Sequence, residues 1–219
     1  MLRTLACLFA AAVLTSSLAS AASAGIRTPA TSVSDSTADR LVHGDGWDDI
    51  QPVTDFHDLV TRGTASSKTS CRFAYSTSRL LVKCTSAEVL AKSAPAMDAA
   101  KIQKGDYIAL AVSTSRESKK PGTAVFFVNP KGLSANIGSY TGANSSWQSS
   151  VETTPVSWTA TFDIPFANLY RPELSLRQLR VSIFRNDTTA NTAFIWPSIP
   201  NVDPMSVYGQ AEIPATPSL

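Results

Sequence analysis

The sequence predicts an all-β fold, a two-sheet antiparallel β-sandwich of the jelly-roll-like type with short helical turns. Two observations carry this prediction. From Asp106 to Ile213 the chain is a series of short strand-like blocks separated by turn-rich sequence. The clearest block, which begins at Trp158, alternates apolar and polar residues. At 219 residues the chain has the length of one such domain, and we expect it to span residues 41–219.

The first strands are predicted around Cys71 and Cys84, in the segment CRFAYSTSRLLVKC. Folding this segment about Thr77-Ser78 places the two cysteines opposite each other on one face of an antiparallel ribbon, because alternate residues of a strand point the same way. Opposed Cα atoms in such a ribbon lie about 4.5–5.5 Å apart, within the range that a disulfide tolerates. We therefore predict a Cys71–Cys84 disulfide. The alternative, two free thiols in a metal or redox site, lacks a neighbouring Cys or His.

Two segments outside the strand pattern have their own expectations. Residues 25–40 are small and polar, with almost no large apolar side chain, and we expect them to be a flexible leader. Ordered structure should then begin near Leu41. The Ala-rich stretch 87–105 is broken by Pro95, which predicts a loop with one or two helical turns.

The later strands are predicted from their apolar patterns. Residues 107–112 are apolar at nearly every position, as expected for a strand covered on both faces. In residues 158–164 every second side chain is large and apolar or alanine, which predicts one inward face. Pro165 then favours a short helical segment directly after that strand. A further inward row runs through residues 179–183 and ends at Arg185.

The first 24 residues predict export. Arg3 precedes an apolar stretch from Leu5 to Leu14, and Ala22-Ser23-Ala24 supplies the small residues of a signal-peptidase site. The apolar stretch is about half as long as the roughly 20 residues that a membrane span needs. We expect residues 1–24 to be a signal peptide and the protein to be secreted or periplasmic.

The charge balance argues against two classes of partner. Of the 19 Lys and Arg residues only Arg3 lies in the predicted signal peptide, so 18 remain against 17 acidic residues. Nucleic acids and anionic membranes are bound by clustered positive charge, and we expect neither partner. The densest basic cluster, Arg116, Lys119 and Lys120, lies between two strand blocks, where a solvated hairpin tip is the simpler interpretation.

Residues suited to catalysis are scarce. The only histidines, His43 and His57, lie among acidic residues whose spacing matches no metal motif, and a solvated loop is the simpler interpretation. No His is paired with a Ser in a pattern that predicts an acyl-transfer triad. We therefore expect no enzyme activity, no catalytic residue, no metal and no cofactor. A glycan-active hydrolase stays as an alternative, and it needs two carboxyl groups about 5–9.5 Å apart across a cleft.

Several motifs, taken in their order, resemble those of the family 9 carbohydrate-binding modules and the wider DOMON-like group of β-sandwich domains. They are GDYIALAVST, FFVNPKG, the Trp of SSW, WTATFDIPFANL, SIFRND and FIWP, and the resemblance runs from Trp47 to Ile213. It implies two antiparallel sheets face to face with loops gathered at each end. It also implies a carbohydrate partner, because these modules recognise sugars, often at a chain end.

The sequence departs from that family in two respects. Family members clamp a sugar between two indole rings; Trp196 stands where one is expected, and the stretch 87–105 has no aromatic residue to supply the other. They can also carry structural calcium, but this chain has no clear carboxylate-rich loop for it. An exported envelope or protein-interaction domain that keeps the fold without binding sugar is therefore the alternative function.

The candidate ligand-binding residues combine an aromatic face with polar groups, which suits the C–H faces and hydroxyls of sugars. Trp196 is either a ligand platform or an aromatic plug of the sandwich. Arg185 and Asn186 end a strand, where a guanidinium presents paired donors to a ligand or is buried against an acid. Asp106 opens a central strand and orients a ligand group or Arg185, or caps a turn. Tyr140 is a further candidate.

Overall fold

The computed structural model describes residues 28–66, 68–114, 123–138, 146–169, 179–197 and 211–213. Within these ranges it contains one α-helix, α1 (Asp35–Val42), and short 3-10 helices at Trp47–Asp49, Leu90–Lys92, Ala99–Lys104 and Phe166–Asn168. The strands are β1 (Ala30–Ser32), β2 (His57–Asp58), β3 (Thr69–Tyr75), β4 (Arg79–Ala87), β5 (Tyr107–Thr114), β6 (Thr123–Val128), β7 (Ser134–Gly138), β8 (Gln148–Thr154), β9 (Ser157–Pro165), β10 (Leu179–Asp187), β11 (Thr192–Trp196) and β12 (Ala211–Ile213).

The strands form two sheets that pack face to face. The five-stranded sheet has the order β1-β3-β4-β9-β8, and the seven-stranded sheet has the order β2-β11-β10-β5-β6-β7, with β12 also paired to β10. Neighbouring strands are antiparallel except for β1 and β3, which are parallel. The predicted two-sheet β-sandwich is confirmed, and the parallel edge pair is the one departure from it within the described residues.

The core lies between the two sheets and follows the predicted alternation. Trp158, Ala160, Phe162 and Ile164 of β9 are all fully buried, as their period of two predicts. They meet inward side chains of the seven-stranded sheet such as Phe126 in one continuous apolar cluster. Burial of each large apolar side chain stabilises the fold by about 1.5–3 kcal/mol, so the sandwich is held chiefly by this cluster.

The cysteine hairpin has the predicted register. Cys71 pairs with Cys84 across β3 and β4, and Phe73 pairs with Val82. The two sulfur atoms are bonded at 2.07 Å, and the Cα atoms lie 4.1 Å apart. The predicted disulfide is confirmed, and it fixes the β3–β4 pair within the buried core.

Replacing both cysteines by alanine should lower the free energy of unfolding by about 3 kcal/mol. The bridge closes a loop with a sequence separation of 13, and a loop of this length loses about that much chain entropy in the unfolded state when it is cross-linked. Alanine keeps the fully buried positions apolar. Urea denaturation followed by circular dichroism measures the change, and reduction of the wild-type protein should produce the same shift. An unchanged midpoint in both experiments would contradict the prediction.

The prediction of a flexible leader over residues 25–40 is wrong for residues 30–40. Strand β1 pairs with β3 through the main chain, which requires no large side chain. Helix α1 begins after Ser34, whose hydroxyl accepts a hydrogen bond from the Thr37 N–H at 3.1 Å. Its buried residues, Ala38 and Leu41, pack in a second apolar cluster on the outer side of the five-stranded sheet. A few small apolar contacts therefore order a segment whose composition is largely polar.

The predictions of short helical segments are confirmed. Helical turns occur within residues 87–105 and directly after Pro165, as predicted. None of the helices in the described ranges has the length and apolarity that crossing a bilayer requires. The predicted signal peptide and the basic cluster at residues 116–120 lie outside the described residues.

Candidate functional site

One end of the sandwich carries a groove between two loops. This is the end at which β6 and β10 finish and β5 and β7 begin. Residues Ala96 and Met97 of the β4–β5 connection form one wall, and residues 131–133 of the β6–β7 turn form the other. The cavity measures about 330 Å³, at the lower end of the range of ligand pockets. We call it the loop-end groove.

The second wall is fixed by the NPKG turn. Asn129 is fully buried, and its side-chain oxygen accepts hydrogen bonds from the N–H groups of Lys131 and Leu133, both at 3.0 Å. The Gly132 N–H donates to the Asn129 carbonyl at 2.9 Å. Gly132 has φ of 77°, a left-handed conformation that favours glycine. The residue types of this motif therefore dictate the shape of the wall.

The first wall is held from below by two asparagines and a glycine. The Asn129 amide donates to the Ala96 carbonyl at 2.8 Å, so one side chain joins both walls. Gly105 lies directly beneath, and a Cβ atom there would be 2.4 Å from the Ala96 nitrogen and 2.7 Å from the Ala94 carbonyl oxygen. The Asn186 amide donates to the Gly105 carbonyl at 2.6 Å. The wall therefore requires glycine at position 105.

Asp106 ties the first wall to the β10–β11 turn. Its carboxylate accepts hydrogen bonds from Thr188 N–H at 2.8 Å, from Thr188 Oγ1 at 2.7 Å, from Ser93 Oγ at 2.9 Å and from the Ala94 N–H. Although burial opposes its ionisation, these donors together hold the pKa of Asp106 below its usual value. Asp106 is thus an ionised group that anchors two loops.

Arg185 crosses from one sheet to the other beneath this end. It projects inward from β10 and is fully buried. Its Nε donates to Ser86 Oγ of β4 at 3.1 Å, and its Nη2 donates to Glu88. The guanidinium carbon lies 5.4 Å from the centre of the Trp158 ring, whose N–H also donates to Glu88, at 2.9 Å. Arg185 is therefore a cross-link between the sheets.

Three carboxylates surround Arg185. Atoms of Glu88, Asp106 and Asp187 lie within 4.8 Å of one another, and Arg185 is within 4.0 Å of all three. Burial raises the pKa of Glu88 despite the neighbouring guanidinium. Calcium takes six to eight oxygen ligands, whereas Asp106 already accepts four hydrogen bonds. The geometry fits a buried ion-pair network better than a calcium site.

The tryptophans on the two lateral edges of the sandwich are packing residues. Trp196 is 2% exposed, its ring lies 5.4 Å from that of Phe73, and its N–H donates to Asp55 at 2.8 Å. Trp147 is half-buried against Phe126 and Phe162, and its N–H donates to Asn136 at 3.1 Å. The structure therefore favours the plug over the platform for Trp196, while Trp147 packs on the core with part of its ring exposed.

The structure brings three of the five predicted ligand-binding residues together. Asp106, Arg185 and Asn186 all lie under the loop-end groove, but the first two are fully buried. Their burial does not fit direct contact with a ligand; they hold the loops instead. Trp196 lies away from them, on the β3–β11 side of the core. Tyr140 lies outside the described residues.

The residues that line the loop-end groove were not predicted. Met97, Lys131 and Leu133 are separated in sequence, and none belongs to a motif with known chemistry. The NPKG turn was the available signal, because an Asn-Pro-x-Gly sequence between two strands marks a tight hairpin whose tip is exposed.

No protein-family model matches the chain, and no curated protein sequence matches it. Among solved structures, it is similar to a candidate carbohydrate-binding protein from Bacteroides uniformis, with 13% identity and a TM-score of 0.61 over 86% of this chain and 99% of that one. It is also similar to a family 9 carbohydrate-binding module from Caldicellulosiruptor kristjanssonii in complex with cellotriose, with 11% identity and a TM-score of 0.54 over 85% and 94%. The chain shares their fold. The resemblance that the sequence motifs predict is thereby confirmed at the level of the fold.

Proposed function

We propose that this chain is an exported carbohydrate-binding domain without catalytic activity, and that the loop-end groove is its binding site. The observation that carries the proposal is the fold, which extends over nearly the whole length of a module captured with cellotriose. Export rests on the signal peptide predicted for residues 1–24.

The groove has the chemical features that a sugar needs. Met97 is 76% exposed and Leu133 is partly exposed, which gives apolar surface for the C–H face of a sugar ring. Lys131 adds a hydrogen-bond donor at the rim. Both walls are fixed by Asn129 before any ligand arrives, and such preorganisation lowers the entropy cost of binding.

The carboxylates near the groove support a binding role and argue against hydrolysis. Hydrolysis of a glycoside uses two carboxyl groups that face each other across the substrate. Here Glu88, Asp106 and Asp187 are buried around Arg185. Within the described part of the chain, the residues that line the groove include no carboxylate.

Replacing Met97 with Glu should weaken sugar binding at least tenfold, because a charged side chain would replace the apolar surface of the first wall. Calorimetric titration with cellotriose and a panel of soluble oligosaccharides measures the change. Val60→Glu is the matched control, since Val60 is 84% exposed on the β2–β3 connection and does not line the groove. Both variants should unfold at the wild-type temperature. Equal binding by Met97→Glu and the wild-type protein would remove the groove as the site, and failure of the wild-type protein to bind any neutral or acidic oligosaccharide would contradict the proposed function.

A further inference from the structure

The exposed charges of the two segments that form the loop-end groove are mostly of one sign. Lys131 lines the groove itself. The β4–β5 connection that forms the other wall carries three more exposed lysines, Lys92, Lys101 and Lys104. In residues 88–106 the one exposed acidic side chain is Asp98. Its carboxylate is 3.8 Å from Lys101 Nζ and also accepts the Ala100 N–H, so part of its charge is already compensated.

The acidic groups next to the β4–β5 connection are committed elsewhere. Glu88 and Asp187 are buried against Arg185, and Asp106 is saturated by hydrogen bonds from the loops. None of the three lines the groove. Among the described residues that line the groove, a ligand therefore meets a surface cation and no surface carboxylate.

The groove thus combines one apolar side chain from each wall with one cation. Met97 and Leu133 can contact the C–H face of a sugar ring, and the Lys131 ammonium can donate a charge-assisted hydrogen bond to a carboxylate on the same ring. The Lys131 main chain is fixed by Asn129, while its long side chain is free to follow the anion. A neutral sugar would leave this cation without a counter-charge.

We infer that the loop-end groove selects glycans that carry a carboxylate, that is, chains of uronic acid residues, over neutral glycans. This inference rests on the proposed function, since it names the class of sugar for the same site. Because the rim is exposed to solvent, the preference for the acidic sugar should decrease with salt.

The test compares trigalacturonate with its fully methyl-esterified form, which has the same rings without the charge. Calorimetric titrations are run at 50 mM and 500 mM NaCl on the wild-type protein and on Lys131→Gln, Lys131→Arg and Lys83→Gln. Lys83 is the matched control because it lies on β4 in the five-stranded sheet and does not line the groove. Wild-type protein should bind the acid about tenfold more tightly than the ester at low salt, and the difference should shrink at high salt.

Lys131→Gln should reduce the affinity for the acid to that for the ester, whereas Lys131→Arg and Lys83→Gln should keep the preference. Equal binding of acid and ester by the wild-type protein, or unchanged binding of the acid by Lys131→Gln, would overturn the inference and leave the proposed function in place. Failure to bind either of these sugars, together with every neutral oligosaccharide of the panel, would overturn both.

Discussion

Replacing Arg185 with Met should lower the free energy of unfolding at pH 7.5 by about 3–5 kcal/mol, because removal of one partner leaves buried charges without compensation. Glu88, Asp106 and Asp187 would then share a buried site without their cation. The cross-sheet hydrogen bonds to Ser86 and Glu88 would also be lost. Urea denaturation followed by tryptophan fluorescence measures the change.

The loss of stability in the Arg185→Met variant should depend on pH. Burial already raises the pKa of Glu88, and Arg185 opposes that rise, so the substitution should raise it further. A carboxyl group whose pKa is raised by folding contributes stability below its unfolded pKa of about 4.3 and loses it as the pH rises through the folded value. The deficit of the variant should therefore be smaller at pH 4.5 than at pH 7.5. An equal deficit at both pH values would contradict the electrostatic explanation.

Glu88→Gln gives a control that does not depend on whether Arg185→Met folds. Glutamine resembles the protonated form of Glu88, and its oxygen can still accept the hydrogen bonds from Arg185 and Trp158. We expect this single variant to lose less stability at pH 7.5 than Arg185→Met does, because Arg185 keeps Asp106 and Asp187 as counter-charges. In the Arg185→Met background it should restore part of the lost stability, since it removes one of the buried negative charges. A large loss in Glu88→Gln alone would show that Glu88 is ionised and needed in that form.

Replacing Trp196 with Ala should lower the free energy of unfolding by about 3–5 kcal/mol, the usual effect of truncating a buried Trp. The ring is 2% exposed and packs on Phe73, so its removal leaves a cavity at the side of the core. Trp196→Phe should lose less stability, because this variant keeps an aromatic ring and loses chiefly the hydrogen bond to Asp55. Urea denaturation measures both variants.

Sugar titrations of the same pair separate packing from ligand contact. If Trp196 is a plug, the folded Trp196→Phe protein should bind oligosaccharides as the wild-type protein does. A variant that keeps its stability and loses sugar binding would instead make Trp196 a ligand platform, and the loop-end groove would no longer be the preferred site.

The strands were predictable where the local sequence pattern alone determines which side chains face the core. The alternation from Trp158 to Ile164 and the symmetric spacing of Cys71 and Cys84 each determine a register without reference to distant residues. Strand β1 was not predictable in this way, because its parallel pairing with β3 uses main-chain groups that every sequence has. Helix α1 was missed because its buried apolar stripe is only two residues wide.

The site was harder to predict because the role of each of its residues depends on contacts between segments that are distant in sequence. The sequence singled out Arg185 and Asp106, but only the fold shows that Glu88, 97 residues away from Arg185, makes the guanidinium a buried cross-link. The sequence left Trp196 open between a ligand platform and a plug, whereas the fold shows that the ring packs inward from the last residue of β11. Side chains that face solvent at the loop-end groove carry no periodic signal, so Met97 and Lys131 could not be recognised before the loops were placed.

The hydrogen bonds of the Asn129 side chain hold the backbone of the groove independently of the side chains that line it. This amide spans Ala96 on one side and Lys131 with Leu133 on the other through main-chain atoms alone. Side chains at positions 97, 131 and 133 can therefore be exchanged while the spacing of the two loops stays constant. Such a scaffold is suited to specificity engineering, in which libraries at these three positions would sample new glycan preferences on an unchanged backbone.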